Sequence, residues 1–162
     1  MEEAKLETFV EICQRFNQRN VKYVVCGAFA CILHGIENVS SQHRPTKDYD
    51  FIIEGGEENV RRIKDALKNL FDKIDELRDD EFKDYPTIQI VEEESGLVLD
   101  LIVKMWGIDY EIAIRDAVMI KVEGINIPVL NIDHLIRMKK DSLRPQDKFD
   151  IYWLGQIKES TR

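Results

Sequence analysis

The sequence predicts an α+β fold in which a central mixed β-sheet is covered by helices, with a helical C-terminal tail. Three observations carry this. The chain opens on a helix, strand, helix order; its middle is made of short β-rich runs that turn back on each other; and its last thirty residues return to helical spacing. The 162 residues suit one domain, with a core over about 21–130 and a tail over about 131–159. An apolar fraction of 44% with 33% charged residues is that of a chain able to bury a core, which excludes disorder and fibrous repeats.

The elements follow in order. Leu6, Phe9, Val10, Cys13 and Phe16 recur at helical spacing, so the first helix ends near Asn20. Val21 to Cys26 reads as a short buried strand, stopped by Gly27, and Ala28 to His34 as a second helix closing at Gly35. Glu37 to Lys47 is polar and aperiodic, contains Pro45, and is expected to be a loop. Asp48 to Ile53 is a strand halted by Gly55 and Gly56, and Val60, Ile63, Leu67, Leu70, Ile74 and Leu77 predict one long helix. Thr87 to Val91 and Leu97 to Val103 form a hairpin, Tyr110 to Asp116 a short helix, and Val118 to Val122 with Ile125 to Leu130 a second hairpin turning at Glu123-Gly124. Asn131 caps a helix from Ile132 to about Ser142, and Pro145 opens the last helix.

Composition narrows the function. The 23 basic and 31 acidic residues give a net charge of −8, and Asp72 to Asp84 holds seven acids against three bases. Such a field disfavours a broad nucleic-acid face. The longest mostly apolar run, Tyr23 to Leu33, is far below the ~20 residues of a membrane span, and the acidic start Met1-Glu2-Glu3 is unlike a signal peptide. The expected location is the cytoplasm. Cys13, Cys26 and Cys31 lie in apolar stretches without C-x-x-C spacing and read as buried thiols.

The chemistry lies in three acids. Asp48 and Asp50 stand at i and i+2 on one strand and so point the same way, while Tyr49, Phe51 and Ile53 make the other face apolar. Two such carboxylates are either solvated at a strand end or share a divalent cation, and hard oxygen ligands favour Mg²⁺ or Mn²⁺. Asp100 interrupts the apolar strand Leu97 to Val103. A carboxylate there needs a metal, a base or a hydrogen-bond network as partner. On a neighbouring strand it would join Asp48 and Asp50 in the arrangement of two-metal phosphoryl transfer.

These residues also resemble a family. Tyr23-Val24-Val25-Cys26-Gly27-Ala28-Phe29-Ala30, His34-Gly35 and Arg44-Pro45-Thr46-Lys47-Asp48-Tyr49-Asp50 are similar to the strand, Gly-Gly/Ser, helix and D-x-D signature of minimal nucleotidyltransferases of the DNA polymerase β superfamily. The tail from Leu130 to Lys139, then Arg144 to Asp150, resembles that of the uncharacterised and toxin-like branch. The resemblance implies the nucleotidyltransferase fold. It further implies an enzyme that uses Mg²⁺ or Mn²⁺ to move a nucleoside monophosphate from an NTP to a hydroxyl, releasing pyrophosphate. By the same resemblance Asp48, Asp50 and Asp100 are the catalytic metal ligands. Gly27, Ala28 and Lys139 would meet the nucleotide, as would Arg44 and Thr46 if they do not merely hold their loop. Ala28 departs from the family's Gly or Ser. The acceptor is a protein, a tRNA end or a small molecule, reached through a protein partner or directly. The rival reading is a degenerate nucleotide- or partner-binding module, possible in a toxin-antitoxin setting.

Other residues carry less. Arg144, Asp147 and Asp150 are expected to tie the last two helices together, His34 to be a satisfied core residue, and Trp106 to pack in the core rather than stack on a base. No G-x-x-x-x-G-K-[ST], G-x-G-x-x-G or H-E-x-x-H occurs.

Overall fold

A computed structural model describes residues 2–161. Helix α1 (Leu6–Gln18) buries Phe9, Val10, Ile12, Cys13 and Phe16 along one stripe. Strand β1 (Tyr23–Cys26) is buried throughout and passes without a linker into α2 (Gly27–Leu33). A short helix α3 (Ile36–Ser40) occupies the start of the stretch expected to be a loop. Gly35, at φ 100°, redirects the chain, its carbonyl accepts from the amides of Asn38 and Val39, and fully buried Ile36 anchors the turn. Two apolar residues, Ile36 and Val39, in a polar stretch are too few to set a period.

Strand β2 (Asp48–Ile53) follows, then α4 (Glu57–Leu67). The long helix expected to reach Leu77 stops at Leu67, because Lys68 is extended (ψ 132°) and Asn69 has a φ of 71°. Two 3₁₀ turns, Ile74–Glu76 and Glu81–Lys83, continue the chain and bury Ile74, Leu77 and Phe82. A 3₁₀ turn repeats every three residues, so it carries the same apolar spacing as a helix.

Strands β3 (Thr87–Val91) and β4 (Val98–Ile102) form the expected antiparallel hairpin. A small hairpin, β5 (Lys104–Met105) with β6 (Ile108–Asp109), turns at Trp106 and Gly107, both at positive φ. Trp106 is 49% exposed there, which corrects its expected place in the core. Helix α5 (Tyr110–Arg115) is capped by Asp109, whose Oδ1 accepts from the Ile112 amide at 3.0 Å. Strands β7 (Val118–Val122) and β8 (Ile125–Val129) turn at Glu123 and Gly124. Asn131 caps α6 (Ile132–Lys139) by accepting from the His134 amide at 2.8 Å, and α7 (Pro145–Ser160) ends the chain.

The six-stranded sheet runs β3-β4-β2-β1-β8-β7. It is mixed: β1 is antiparallel to β2 and parallel to β8, and β2 is parallel to β4. On one face Tyr23, Tyr49 and Phe51 meet Phe9, Phe16 and Phe29, with Phe9 stacked on Phe29 at 4.5 Å between centroids and Phe29 on Tyr49 at 5.6 Å. This cluster fixes which way β2 faces. Tyr49 and Phe51 are fully buried, so Asp48 and Asp50 must point to the opposite side. No helix of the described residues is long and apolar enough to cross a membrane.

Candidate functional site

The strand register sets the floor of the site. Cys26 pairs with Asp50, Asp50 with Asp100, and Asp100 with Gln89, so one row of side chains crosses β1, β2, β4 and β3 on the face away from the aromatic cluster. Asp48 lies one pleat along β2 on the same face. Each of Asp48, Asp50 and Asp100 offers a carboxylate oxygen within 4.8 Å of the others, and all three are half-buried.

Gly27 makes this possible. Its φ is 68°, and a Cβ built there would sit 2.0 Å from Asp50 Oδ2. Only glycine lets the chain turn from β1 into α2 directly over the Asp50 carboxylate. Thr46 prepares the other acid: its Oγ1 accepts from the Asp48 amide at 3.1 Å, and its carbonyl accepts from the Ala4 amide at 2.8 Å.

The acids disfavour one another's charge. Burial, then a hydrogen bond and charge from Asp100 and the charge of Asp48, push the Asp50 carboxyl well above its ordinary value, against the pull of Lys139. Burial and Asp100 raise Asp48, with Lys47, Arg144 and Arg44 opposing. At the end of the row, burial first and the charges of Asp50 and Asp100 second keep Cys26 a neutral thiol. Three hard oxygen donors gathered this closely are a donor set suited to Mg²⁺ or Mn²⁺, and a bound cation would reverse the shifts of Asp48 and Asp50.

The carboxylates lie in a cleft of about 330 Å³. Gly27 and Ala28 line it from the start of α2, and Arg44, Lys139 and Arg144 supply its cations. Arg44 takes the expected alternative in which it holds its loop, and Lys139 stands in ion pairs at the cleft wall. Arg44 is buried and grips Asp150 with two nearly parallel bonds, Nε to Oδ1 at 2.9 Å and Nη2 to Oδ2 at 2.8 Å. It holds the loop before β2. Lys139 Nζ lies 2.7 Å from Asp147 Oδ1 and 3.0 Å from Asp150 Oδ2, so its ammonium is neutralised at the cleft wall instead of being offered unpaired to a phosphate. Burial alone would depress it, but the charges around it, including those of Asp150 and Asp147, keep it protonated.

The expected tie between the last helices is therefore larger than one pair: Asp147 also accepts from Ser142 at 2.6 Å and Arg144 at 2.9 Å, and Asp150 reaches the loop before β2. Arg144, with its side chain 78% exposed, is the cation of this group most open to the cleft. His34 is a satisfied core residue, donating through Nε2 to the Leu130 carbonyl at 2.8 Å. Cys13, Cys26 and Cys31 are buried free thiols.

Thr87, Gln89, Met105 and Gln146 also line the cleft, and sequence reasoning passed over them. For Gln89 a signal existed, since its place on a strand hairpinned to that of Asp100 could have been counted back from the turn. Gln146 and Met105 carried none.

Comparison with known proteins returned no matching family model and no matching curated protein. Solved structures do match. A lincosamide antibiotic adenylyltransferase, LnuA, in its lincomycin-bound form, aligns with a TM-score of 0.64 at 17% identity, covering 96% of this chain and 99% of that one. A candidate nucleotidyltransferase from Thermotoga maritima aligns at 0.54 and 16% identity, covering 96% and 88%. An antigenic nucleotidyltransferase-like protein from Paracoccidioides brasiliensis aligns at 0.53 and 14%, covering 96% and 78%. At such identities the likeness speaks for architecture, and the architecture of this chain is the minimal nucleotidyltransferase fold.

Proposed function

We propose that this protein is a nucleotidyltransferase that uses a divalent cation to move a nucleoside monophosphate from an NTP to a hydroxyl of a small molecule, with release of pyrophosphate. The observation that carries the reading is the set of three carboxylates on adjacent strands of β2 and β4, within 4.8 Å of one another, on the floor of a cleft. Clustering acids in this way costs stability, and a docking module has no use for it.

Asp48, Asp50 and Asp100 would hold Mg²⁺ or Mn²⁺, which when bound offsets the charge of the triphosphate and makes pyrophosphate a better leaving group. The chain itself does the rest. Gly27 and Ala28 bring backbone to the edge of the carboxylate floor without a bulky side chain in the way. Arg144 faces the cleft mouth, where a guanidinium meets phosphate oxygens through several N–H donors. Lys139, held by Asp147 and Asp150, adds positive potential beside Asp50 without leaving its ion pairs. In the transfer, the acceptor oxygen forms a bond to the α-phosphorus as the bond from that phosphorus to the bridging α–β oxygen breaks. The electron pair leaves with pyrophosphate, and the hydroxyl proton passes to a cleft carboxylate and then to water.

A small acceptor is favoured by the length match to LnuA, a lincosamide antibiotic adenylyltransferase that spans nearly the same number of residues and was seen with lincomycin. ATP is accordingly the first nucleotide to try. Incubation with Mg²⁺, α-labelled ATP and an uncharged hydroxyl-bearing small molecule should pass the label to that acceptor with release of pyrophosphate, and Asp50→Asn should lower that rate by 10²-fold or more, on the order of a lost electrostatic contact in the transition state. Equal rates for the two proteins would reject the reading.

A further inference from the structure

The cleft lining falls into two chemically unlike groups. Gly27 and Ala28 enter it from the start of α2, and Arg44, Lys139 and Arg144 from the loop before β2, from α6 and from the start of α7. On the β3 side of the carboxylates stand Thr87 and Gln89, with Ile102 and Met105 as apolar neighbours. None of these four carries a charge, and all three cations of the cleft lining belong to the first group.

Gln89 is in register with Asp100, and Thr87 with Ile102. Residues at 87 and 89 share a face of β3, and that face continues the carboxylate floor outward past Asp100. Ile90, on the opposite face, is buried and fastens the strand to the core, while Thr87 and Gln89 are exposed to the cleft. An amide and a hydroxyl on an anchored strand can donate to and accept from hydroxyl groups, and they offer nothing to neutralise a phosphate. The phosphates of a nucleotide belong with the cations, which leaves the β3 side for the other substrate.

We propose that Gln89 and Thr87 form the acceptor subsite, and that the acceptor is an uncharged, hydroxyl-bearing small molecule with an apolar face that lies on Ile102 and Met105. This deepens the nucleotidyltransferase reading and rests on it. A polyanionic acceptor such as an RNA end would meet Asp100 with no cation among Thr87, Gln89, Ile102 and Met105, on a chain of net charge −8. Gln89 and Thr87 orient the acceptor hydroxyl beside Asp100. That hydroxyl's oxygen then bonds to the α-phosphorus, the bridging α–β bond breaks with its electrons going to pyrophosphate, and the proton goes to Asp100.

The probes are hexyl β-glucoside, which is uncharged with several hydroxyls and an apolar tail, and an oligoribonucleotide with a free 3′-hydroxyl. Pyrophosphate release from Mg²⁺-ATP is measured with each, together with glucoside binding by saturation-transfer NMR and Mn²⁺-ATP binding by calorimetry. The expected result is that the glucoside binds and raises the rate above that with water alone, and that the oligoribonucleotide does not. Gln89→Leu, which removes the amide and leaves an aliphatic side chain, should raise the KM for the glucoside by about tenfold while Mn²⁺-ATP affinity stays unchanged. Thr87→Val should act in the same direction if Gln89→Leu is poorly folded. Stimulation by the oligoribonucleotide, a glucoside that neither binds nor stimulates, or a loss of Mn²⁺-ATP binding in Gln89→Leu would each overturn the assignment. Failure of the unmodified protein to bind Mn²⁺-ATP would instead overturn the nucleotidyltransferase reading beneath it.

Discussion

Gly27 and Asp50 show how one atom decides a site. A methyl at position 27 would overlap the Asp50 carboxylate, with 2.0 Å to Oδ2, and would also have to accept a φ of 68°. Gly27→Ala should therefore lower stability by about 1–2 kcal/mol from the backbone alone, read as a fall in the urea midpoint. The displaced Asp50 should weaken Mn²⁺ binding in the same variant. Asp50→Asn should do the reverse to stability. Because burial and two neighbouring carboxylates raise this group, removing its charge in metal-free buffer at neutral pH should stabilise the fold by on the order of 1 kcal/mol. A thermal melt in the presence of a chelator checks the sign, and a clear loss of stability in that melt would make Asp50 a structural residue.

At the scale of elements, the α6–α7 junction is the part held by charge. Asp147 is nearly buried, which alone would raise its carboxyl, but Lys139, Ser142 and Arg144 hold it at about 2, below the ordinary 3.8. A folded-state value below the unfolded one contributes stability that is complete above about pH 3.8 and is lost as the pH falls through about 2. The difference corresponds to about 2 kcal/mol at most. Asp147→Asn should thus be less stable than the unmodified protein at pH 7, and the gap should narrow as acid unfolding is followed from pH 4 to pH 2. A gap that stays constant over that range would mean that the ion pairs are not what holds the junction.

Elements were legible in the sequence wherever a period or a cap was long enough to repeat. The β2 face, the two larger hairpins, the Asn131 cap and the Pro145 start all lie where alternation, turn residues and capping chemistry put them. The helix through Leu77 was misread because 3₁₀ turns imitate its spacing, and α3 and the β5–β6 hairpin are too short to show any period. In the site, the three aspartates were legible as a same-face pair plus a lone acid in an apolar strand. Lys139 and Arg44 were not, since nothing local reveals that a carboxylate 106 positions away in the chain will take the Arg44 guanidinium.

Across the whole molecule, these long-range ties serve the carboxylate floor. The Arg44–Asp150 pair joins the last helix to the loop from which β2 starts, and Lys139 shares Asp150 with it, so the strand bearing Asp48 and the helices lining the cleft form one packed unit. An aromatic layer on one side of the sheet and an acid row on the other give the molecule a single chemically distinctive face. On that face the proposed function requires three aspartates to hold a divalent cation on which nucleotide binding depends. Calorimetric titration of a non-hydrolysable ATP analogue with Mn²⁺, without Mn²⁺, and with Asp50→Asn tests it most directly. Binding by the unmodified protein is expected only when Mn²⁺ is present and is expected to be lost in Asp50→Asn; binding that is indifferent to the metal, or unaltered by Asp50→Asn, would overturn the role of the three aspartates.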